Sequence, residues 1–306
     1  MPKVKTEKKY RQHGSSQQGI QFNKTFGQHI LKNPLVVTSM VEKSGIQNTD
    51  VVLEVGPGTG NLTEKLLEKA RKVIACEVDT RLVAELQKRV MLKPYYRNLE
   101  IKIGDVLKKP LPKFDLCISN LPYQISSPFI FKLIHEVDYF RSAILMLQKE
   151  FADRLVAQPG DELYCRLSVN VQMFARVDHL MKVSRNSFKP PPEVDSSIIR
   201  LEKKNSDLPR ESIPNWDGLL RICFLRKNKT LSAIFRQASV INLVMKSYQA
   251  FCATNKIDIS EDFDIKGKVL DILNKNNFAD KRARHLDIDD FLKLLVVFNK
   301  EGIYFS

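Results

Sequence analysis

The sequence lacks any apolar run that approaches the ~20 consecutive residues of a membrane-spanning helix. Hydrophobic residues make up 43% of the 306 positions and charged residues 27%, a balance that is typical of globular proteins. We therefore exclude a membrane-spanning protein and expect no membrane partner. A chain of this length can form one large domain and a smaller second one, which is our working prediction.

Cysteine is scarce, and the five cysteines show neither a disulfide framework nor paired metal-ligand spacing. Cys76 and Cys117 lie inside apolar runs, where cysteine usually behaves as a small hydrophobic residue. The others are Cys165, Cys223 and Cys252. We predict reduced thiols in an intracellular compartment and no metal site.

Acidic residues are few relative to basic ones. The sequence has 35 aspartates and glutamates against 49 lysines and arginines, which gives a formal net charge of +14. A basic surface suits a polyanion such as RNA, although it also serves solubility. Residues 1–21 are basic and lack the hydrophobic segment of a secretory signal. We interpret them as a disordered arm that binds RNA or directs nuclear import, with a solvated tail as the alternative.

Strand-like apolar runs alternate with helical patterns in the N-terminal half of the chain. Leu62–Ala70 and Arg81–Val90 place apolar residues at helical spacing between such runs. This alternation predicts a Rossmann-like α/β domain with a mostly parallel sheet and helices on both faces. The predicted strands are Val51–Val55, Val73–Glu77, Leu99–Ile103, Asp115–Ser119 and Ser142–Gln148.

A hairpin and a helical segment complete the predicted architecture. We predict Leu167–Phe174 and Ser196–Leu201 as two antiparallel strands at the sheet edge, with Pro190–Pro192 in the loop between them. The pattern then becomes helical. We therefore expect a catalytic domain over residues 22–205 and a small helical RNA-binding domain over residues 206–306. The helical patterns there are Trp216–Phe224, Lys229–Phe235 and Asp287–Phe298.

A glycine-rich turn follows the first predicted strand, with Gly56, Gly58 and Gly60 before a helix. Glycines in such a turn let a ligand approach the backbone. The G-x-G-x-G spacing differs from the G-x-G-x-x-G of dinucleotide-binding proteins, so the turn alone does not identify the ligand. Glu77 and Asp105 follow the next two strands. Acidic residues at strand ends are often simply exposed to solvent. Because these two follow the glycine turn, however, they predict an adenosine pocket in which Glu77 accepts hydrogen bonds from the ribose hydroxyls and Asp105 accepts one from the adenine amino group.

The tetrapeptide Asn120-Leu121-Pro122-Tyr123 follows the fourth predicted strand. The exocyclic amine of adenine is a poor nucleophile because its lone pair is delocalised into the ring. The side-chain carbonyl of Asn120 and the backbone carbonyl of Leu121 can accept hydrogen bonds from the two N–H groups of this amine and so localise its lone pair. Pro122 restricts Leu121 to an extended conformation, and Tyr123 offers a stacking face. With the glycine turn, the motif predicts an S-adenosylmethionine-dependent methyltransferase that needs no general base.

These residues resemble the family of small-subunit ribosomal RNA adenine N6,N6-dimethyltransferases. The resemblance covers nearly the whole chain, and Phe188–Val194 fits the family pattern F-x-P-x-P-x-V. It implies S-adenosylmethionine as the cofactor and Phe188 as a second aromatic face opposite Tyr123. It also implies two methyl transfers to each of two adjacent adenosines in a hairpin near the 3′ end of the RNA. The implied cofactor contacts are His29, which we expect to bind without proton transfer, Leu31, Gly56, Glu77, Asp105 and Asn120.

Features of the C-terminal third are similar to the eukaryotic branch of this family. Arg226, Lys227 and Lys229 lie in a segment that resembles the family's basic helix start, and we expect phosphate contacts there, with a solvated basic turn as the alternative. Lys281–Arg284 and the ending Gly302–Ser306 look closest to the eukaryotic members. The resemblance implies 18S pre-rRNA in pre-ribosomal particles as the partner and a nuclear, nucleolar location. A monomer is our default expectation.

Two other functions remain open at this point. An RNA-binding assembly factor whose methylation is dispensable would use the basic surface and the helical domain alone. A DNA adenine N6-methyltransferase faces the same chemical problem and uses a similar tetrapeptide.

Overall fold

The fold was analysed in a computed structural model, which describes residues 29–137, 139–205, 208–260 and 262–305. The predicted basic arm over residues 1–21 lies outside these ranges. In the described part of the chain, no helix is both long and apolar enough to span a membrane.

A seven-stranded sheet forms the centre of the molecule, in the order β4-β3-β2-β5-β6-β9-β7. Strands β2 to β6 run parallel, whereas β9 is antiparallel to β6 and β7 is antiparallel to β9. A separate two-stranded sheet pairs β1 with β8. The strands are β1 (Ile30–Leu31), β2 (Val51–Val55), β3 (Lys72–Glu77), β4 (Leu99–Ile103), β5 (Leu116–Asn120), β6 (Ser142–Gln148), β7 (Ala175–Val183), β8 (Phe188–Lys189) and β9 (Ser196–Lys203).

Helices cover both faces of the large sheet, because its central strands are apolar on both sides. On one face α1, α2 and α3 pack against the sheet, and on the other α4, α5 and α6 do so. The predicted fold class, a Rossmann-like α/β domain with an antiparallel edge, is confirmed. The helices are α1 (Pro34–Lys43), α2 (Asn61–Leu67), α3 (Thr80–Val90), α4 (Ser126–Glu136), α5 (Lys149–Val156), α6 (Arg166–Phe174), α7 (Ile213–Cys223), α8 (Leu231–Phe235), α9 (Ala238–Asn255), α10 (Ile265–Lys275) and α11 (Ile288–Lys300).

One predicted strand is wrong, because Leu167–Phe174 lies in helix α6. Its alternation of apolar and polar residues suggested a half-exposed strand. The polar residues are instead satisfied by hydrogen bonds inside the protein: Ser168 Oγ donates to the Arg154 carbonyl (2.6 Å) and Asn170 Nδ2 to Asp217 Oδ1 (2.7 Å). The edge strand that pairs with β9 is β7, which begins only at Ala175.

The five helices α7 to α11 follow the sheet and share its hydrophobic core. Trp216, Phe291 and Phe298 are fully buried, and their cluster is continuous with the side chains below α6. The end of the chain also packs here, since the Phe305 N–H donates to Asn215 Oδ1 (2.7 Å) and the Phe305 ring is buried. The predicted helical character of this part is confirmed, while the division at residue 205 stays a prediction.

Candidate active site

A cavity opens at the carboxyl edge of the parallel strands, where β2, β3, β4 and β5 end side by side. Parallel α/β sheets bind their ligands at this edge, next to the point where the strand order reverses. Most of the predicted site residues lie around this cavity, although they are spread over nearly a hundred positions of the sequence. The predicted residues that line it are His29, Leu31, Gly56, Gly58, Glu77, Asp105, Asn120, Leu121, Pro122 and Tyr123.

The glycine turn and the Asn-Leu-Pro-Tyr motif come close together at Gly56. This glycine has φ 67°, and a Cβ placed on it would lie 3.2 Å from both Cδ and Cγ of Pro122. A side chain at this position would therefore push the two loops apart. Gly58 also lines the cavity, and its N–H donates to Glu77 Oε2 at 3.4 Å.

Gly60 differs from the other two glycines, because it does not line the cavity. It precedes helix α2 with φ 86°, and a Cβ there would lie 2.6 Å from Leu86 Cδ1 of helix α3. The structure therefore gives Gly60 a packing role between α2 and α3. The predicted cofactor contact at Gly60 has no geometric support.

Glu77 at the end of β3 is 6% exposed and positioned by three backbone groups. Its Oε1 accepts hydrogen bonds from the N–H groups of Val78 (2.9 Å) and Asp79 (3.0 Å). Burial raises the pKa of this carboxyl, and the backbone hydrogen bonds oppose the rise. Because Oε2 has only the long contact to Gly58, it keeps capacity to accept from a ligand hydroxyl.

Asp105 follows β4 on the same cavity wall. Its Oδ1 accepts a hydrogen bond from the Leu107 N–H at 2.9 Å, which fixes the carboxylate in the loop. Its Oδ2 lies 3.9 Å from Lys108 Nζ, at the limit of an ion pair. The Asp105 carboxylate can therefore accept a further hydrogen bond, beside the position where Glu77 would hold a ribose.

Glu54 is a cavity residue that the sequence predictions missed. It lies in β2, is 1% exposed, and its Oε2 has no hydrogen-bond partner in the described part of the protein. Burial raises the pKa of this carboxyl to about 8, and the neighbouring Glu77 adds to the rise. The signal was present in the sequence, because a buried charge inside an apolar strand requires a partner.

Asn120 ends β5 and points its amide toward the segment that precedes α1. Its Nδ2 donates to the His29 carbonyl at 3.3 Å, an orientation that leaves Oδ1 free to accept. The next residue is held to the sheet, since the Leu121 N–H donates to the Met146 carbonyl (3.2 Å) and the Leu121 side chain is buried. Among the described residues, no hydrogen bond ends on the Leu121 carbonyl. Two adjacent lining residues, Asn120 and Leu121, therefore each have a carbonyl oxygen available to accept a hydrogen bond.

Tyr123 begins a short 3-10 turn and presents its ring at the rim of the cavity. Its hydroxyl lies 2.8 Å from Ser196 Oγ, and its ring centroid lies 5.8 Å from that of His29. Burial raises the pKa of the phenol, so the hydroxyl is neutral at physiological pH. The hydrogen bond and the aromatic neighbour hold the ring in a fixed orientation.

The segment from His29 to Leu31 forms part of the cavity wall. Its position is fixed at three points: β1 pairs with β8, His29 Nδ1 donates to the Pro190 carbonyl (3.0 Å), and the Leu31 carbonyl accepts from Asn61 Nδ2 (2.7 Å). The His29 proton therefore lies on Nδ1, because a carbonyl can only accept. This ring is held by the backbone and is not arranged for proton transfer.

Phe188 does not line the cavity. It pairs with Leu31 across the β1–β8 ladder and is 1% exposed within the core below that ladder. A base contact by Phe188 would require its ring to leave this core. In the structure its role is to support the segment that carries His29 and Leu31.

The three predicted RNA-binding residues lie away from the cavity, near the start of α8. Arg226 and Lys229 are exposed, as phosphate contacts require. Lys227 is held differently, since its Nζ donates to the carbonyls of Glu162 and Tyr164. The structure therefore gives Lys227 a role in joining two loops, and leaves Arg226 and Lys229 as the accessible cations of this segment.

The cavity fits a ligand that carries a ribose and an adenine. Glu77 can accept from ribose hydroxyls, Asp105 can accept from the adenine amino group, and Oε2 of Glu54 has no hydrogen-bond partner among the described residues. Asn120 and Leu121, whose side-chain and backbone carbonyl oxygens respectively accept no hydrogen bond from the described residues, line the same space. The fold and this cavity define an S-adenosylmethionine-dependent methyltransferase that acts on an amino group.

Comparison with known proteins identifies the family. A sequence profile described as "Ribosomal RNA adenine dimethylase" matches residues 19–276. A probable dimethyladenosine transferase of Drosophila melanogaster is 59% identical over 100% of both chains. A dimethyladenosine transferase of Schizosaccharomyces pombe is 54% identical over 94% of this chain and 93% of its own. The crystal structure of a dimethyladenosine transferase from Plasmodium falciparum superposes with a TM-score of 0.82 at 46% identity, over 91% of this chain and 100% of that one.

The chain belongs to the ribosomal RNA adenine dimethylase family. It is an enzyme that dimethylates adenine in ribosomal RNA with S-adenosylmethionine as cofactor. The resemblance drawn from the sequence motifs is thereby confirmed.

Proposed function

We propose that this protein dimethylates N6 of two adjacent adenosines in the 3′-terminal hairpin loop of 18S ribosomal RNA during small-subunit assembly. The observation that carries the reaction is the pair of free acceptors, Asn120 Oδ1 and the Leu121 carbonyl, on the wall of the cofactor cavity. Family membership supports ribosomal RNA as the substrate. The choice of 18S RNA and of this loop rests on the resemblance to the eukaryotic branch.

The cofactor would be held by carboxylates and by the glycine turn. Glu77 accepts from the ribose hydroxyls and Asp105 from the adenine amino group. Gly56 and Gly58 allow close approach of the backbone, and the segment from His29 to Leu31 forms part of the wall. When bound, S-adenosylmethionine supplies an electrophilic methyl group.

The reaction depends on how the chain positions the target amine. Asn120 Oδ1 and the Leu121 carbonyl accept hydrogen bonds from the two N–H groups of the adenine amine, so that the nitrogen becomes pyramidal and its lone pair is localised toward the methyl donor. Tyr123 stacks on the base, which offsets part of the cost of removing it from its own stack. No general base is required, because the nitrogen becomes acidic only after methylation and then loses its proton to solvent.

The second methyl transfer sets a different requirement on the same residues. A monomethylated amine has one N–H, so one acceptor keeps its hydrogen bond while the methyl group occupies the space near the other. The pocket must therefore readmit its own first product.

The decisive experiment is methyl transfer from labelled S-adenosylmethionine to immature small-subunit particles. Wild type is compared with Asn120→Ala, which removes one acceptor and leaves Glu77 and Asp105 in place, and the modified bases are mapped. We expect dimethyladenosine near the 3′ end of 18S RNA with wild type and its loss with the variant. Particles that bind the protein but receive no methyl group would instead favour an assembly factor, and methylation of a DNA hairpin in preference to RNA would overturn the substrate.

We propose further that the protein acts as a monomer in pre-ribosomal particles of the nucleolus and contributes to pre-rRNA processing. The basic N-terminal segment and the resemblance to eukaryotic members support this location. Imaging of a tagged chain with and without residues 1–21 tests the role of that segment. A cytoplasmic full-length protein would refute the proposed location, whereas unchanged nucleolar signal after the deletion would refute only the role of the segment.

A further inference from the structure

A second pocket adjoins the cofactor cavity at Tyr123 and Gln124, which line both. Helices α4, α5 and α6 form its walls, and its polar lining includes Ser127, Arg154 and Arg166. None of these residues takes part in cofactor binding as described above. The pocket therefore lies beside the position that the target base would take.

The charge of this second pocket is positive. No acidic residue of the described ranges lines it, whereas two arginines do. The guanidinium of Arg154 lies 5.6 Å from the centre of the Phe151 ring, its Nε is buried without a hydrogen-bond partner, and no described carboxylate forms an ion pair with it. The Arg154 guanidinium therefore brings a positive charge to the pocket that no described carboxylate neutralises.

Arg166 completes the positive lining from the start of α6. It is exposed, and its ion pair with Asp217 is long at 3.6 Å. The other oxygen of Asp217 accepts from Asn170 Nδ2, and Asp217 itself does not line the pocket. Asp217 therefore orients Arg166 and Asn170 from outside. The N-terminal end of α4 adds the favourable end of its helix dipole to the same space.

We infer that this arginine pocket, formed around Arg154 and Arg166, binds the phosphate of a nucleotide next to the target adenosine. The inference rests on the proposed function, since it assumes an adenosine stacked on Tyr123. A base that leaves its stack brings its sugar and flanking phosphates to the rim of the catalytic pocket. Arginine binds phosphate through parallel hydrogen bonds, and such contacts fix the register of a strand without reading its sequence.

The test compares Arg154→Gln and Arg166→Gln with Arg176→Gln as the matched control. Arg176 is an exposed arginine paired with Asp178 on β7, at the end of the sheet away from the cofactor edge. With a single-stranded loop substrate, we expect each pocket variant to raise KM about tenfold and to reduce the salt slope of RNA binding by about 0.7. Arg154→Lys should restore the slope, and unchanged S-adenosylmethionine affinity shows that the variants fold.

Neutral RNA linkages separate this inference from general charge effects. Two substrates carry a single methylphosphonate, either 5′ or 3′ of the target adenosine. We expect one of them to bind wild type about tenfold more weakly and to show no further loss with Arg154→Gln. The inference would be overturned if, with both substrates, the losses in affinity from the methylphosphonate and from Arg154→Gln simply added. It would also be overturned if the pocket variants behaved like Arg176→Gln. A wild-type protein that methylates no RNA would instead refute the proposed function.

Discussion

The buried carboxyl of Glu54 makes the stability of the protein depend on pH in a specific way. Its pKa is about 8 in the folded protein, against an ordinary value of 4.5. An acid with a raised pKa binds more protons in the folded than in the unfolded state, so stability falls as pH rises from about 4.5 through about 8. Glu54→Gln keeps the shape of the protonated side chain and removes this dependence.

The size of the effect follows from the two pKa values. One pKa unit corresponds to about 1.4 kcal/mol, so the full loss is about 5 kcal/mol, and roughly half of it falls between pH 6 and pH 8. Relative to wild type, Glu54→Gln should therefore gain about 3 kcal/mol of unfolding free energy between pH 6 and pH 9. This difference is large against the ~5–15 kcal/mol stability of a typical domain.

Urea denaturation of both proteins at pH 6, 7, 8 and 9, without cofactor, measures the difference. Other titrating groups, including Glu77, are common to the two proteins and largely cancel. Glu54→Asp is a useful control, since it keeps an ionisable group at the same position. A stability difference that stays constant from pH 6 to pH 9 would show that Glu54 ionises normally, and the reasoning from its burial would be refuted.

Three further substitutions test other parts of the site. Glu77→Gln should weaken S-adenosylmethionine binding roughly 10- to 100-fold in calorimetry, because it replaces a charged acceptor of hydroxyl hydrogen bonds; an unchanged Kd would remove Glu77 from the ribose site. Tyr123→Ala should lower kcat/KM for RNA roughly 5- to 150-fold through lost stacking, whereas Tyr123→Phe should stay near wild type; equal losses in both variants would show that the Ser196 hydrogen bond matters more than the ring. Gly60→Ala should lower the unfolding free energy by about 1–3 kcal/mol and leave the cofactor Kd unchanged; the reverse pattern would restore Gly60 as a cofactor contact.

The parallel part of the fold was predictable because most of its strands are continuous apolar runs bounded by turns. Strands β2, β4 and β6 have the predicted bounds, β3 begins one residue earlier than predicted, and β5 is shifted by one residue. The edge strand β7 was not predictable in this way. It carries charged residues such as Arg176 and Lys182 on its exposed edge, while the neighbouring helix α6 shows the alternation that is typical of a strand.

The residues of the site also fall into two groups: those that a sequence motif predicts, and those whose role depends on tertiary contacts. Glu77 and Asn120 were predictable because they follow strands directly. The burial of Phe188 was not, since it depends on the pairing of β8 with β1, and the same holds for the contact between Gly60 and Leu86. Arg154 and Arg166 belong to no motif and meet only because α5 and α6 pack together.

The close approach of Gly56 to Pro122 has a consequence for protein redesign. One residue belongs to the loop proposed to hold the methyl donor and the other to the loop proposed to hold the methyl acceptor, yet a Cβ on Gly56 would lie only 3.2 Å from the Pro122 ring. A new acceptor motif grafted onto this sheet would therefore fit only together with its own donor turn. The two loops are one exchangeable unit, despite the 65 intervening residues that separate them along the chain.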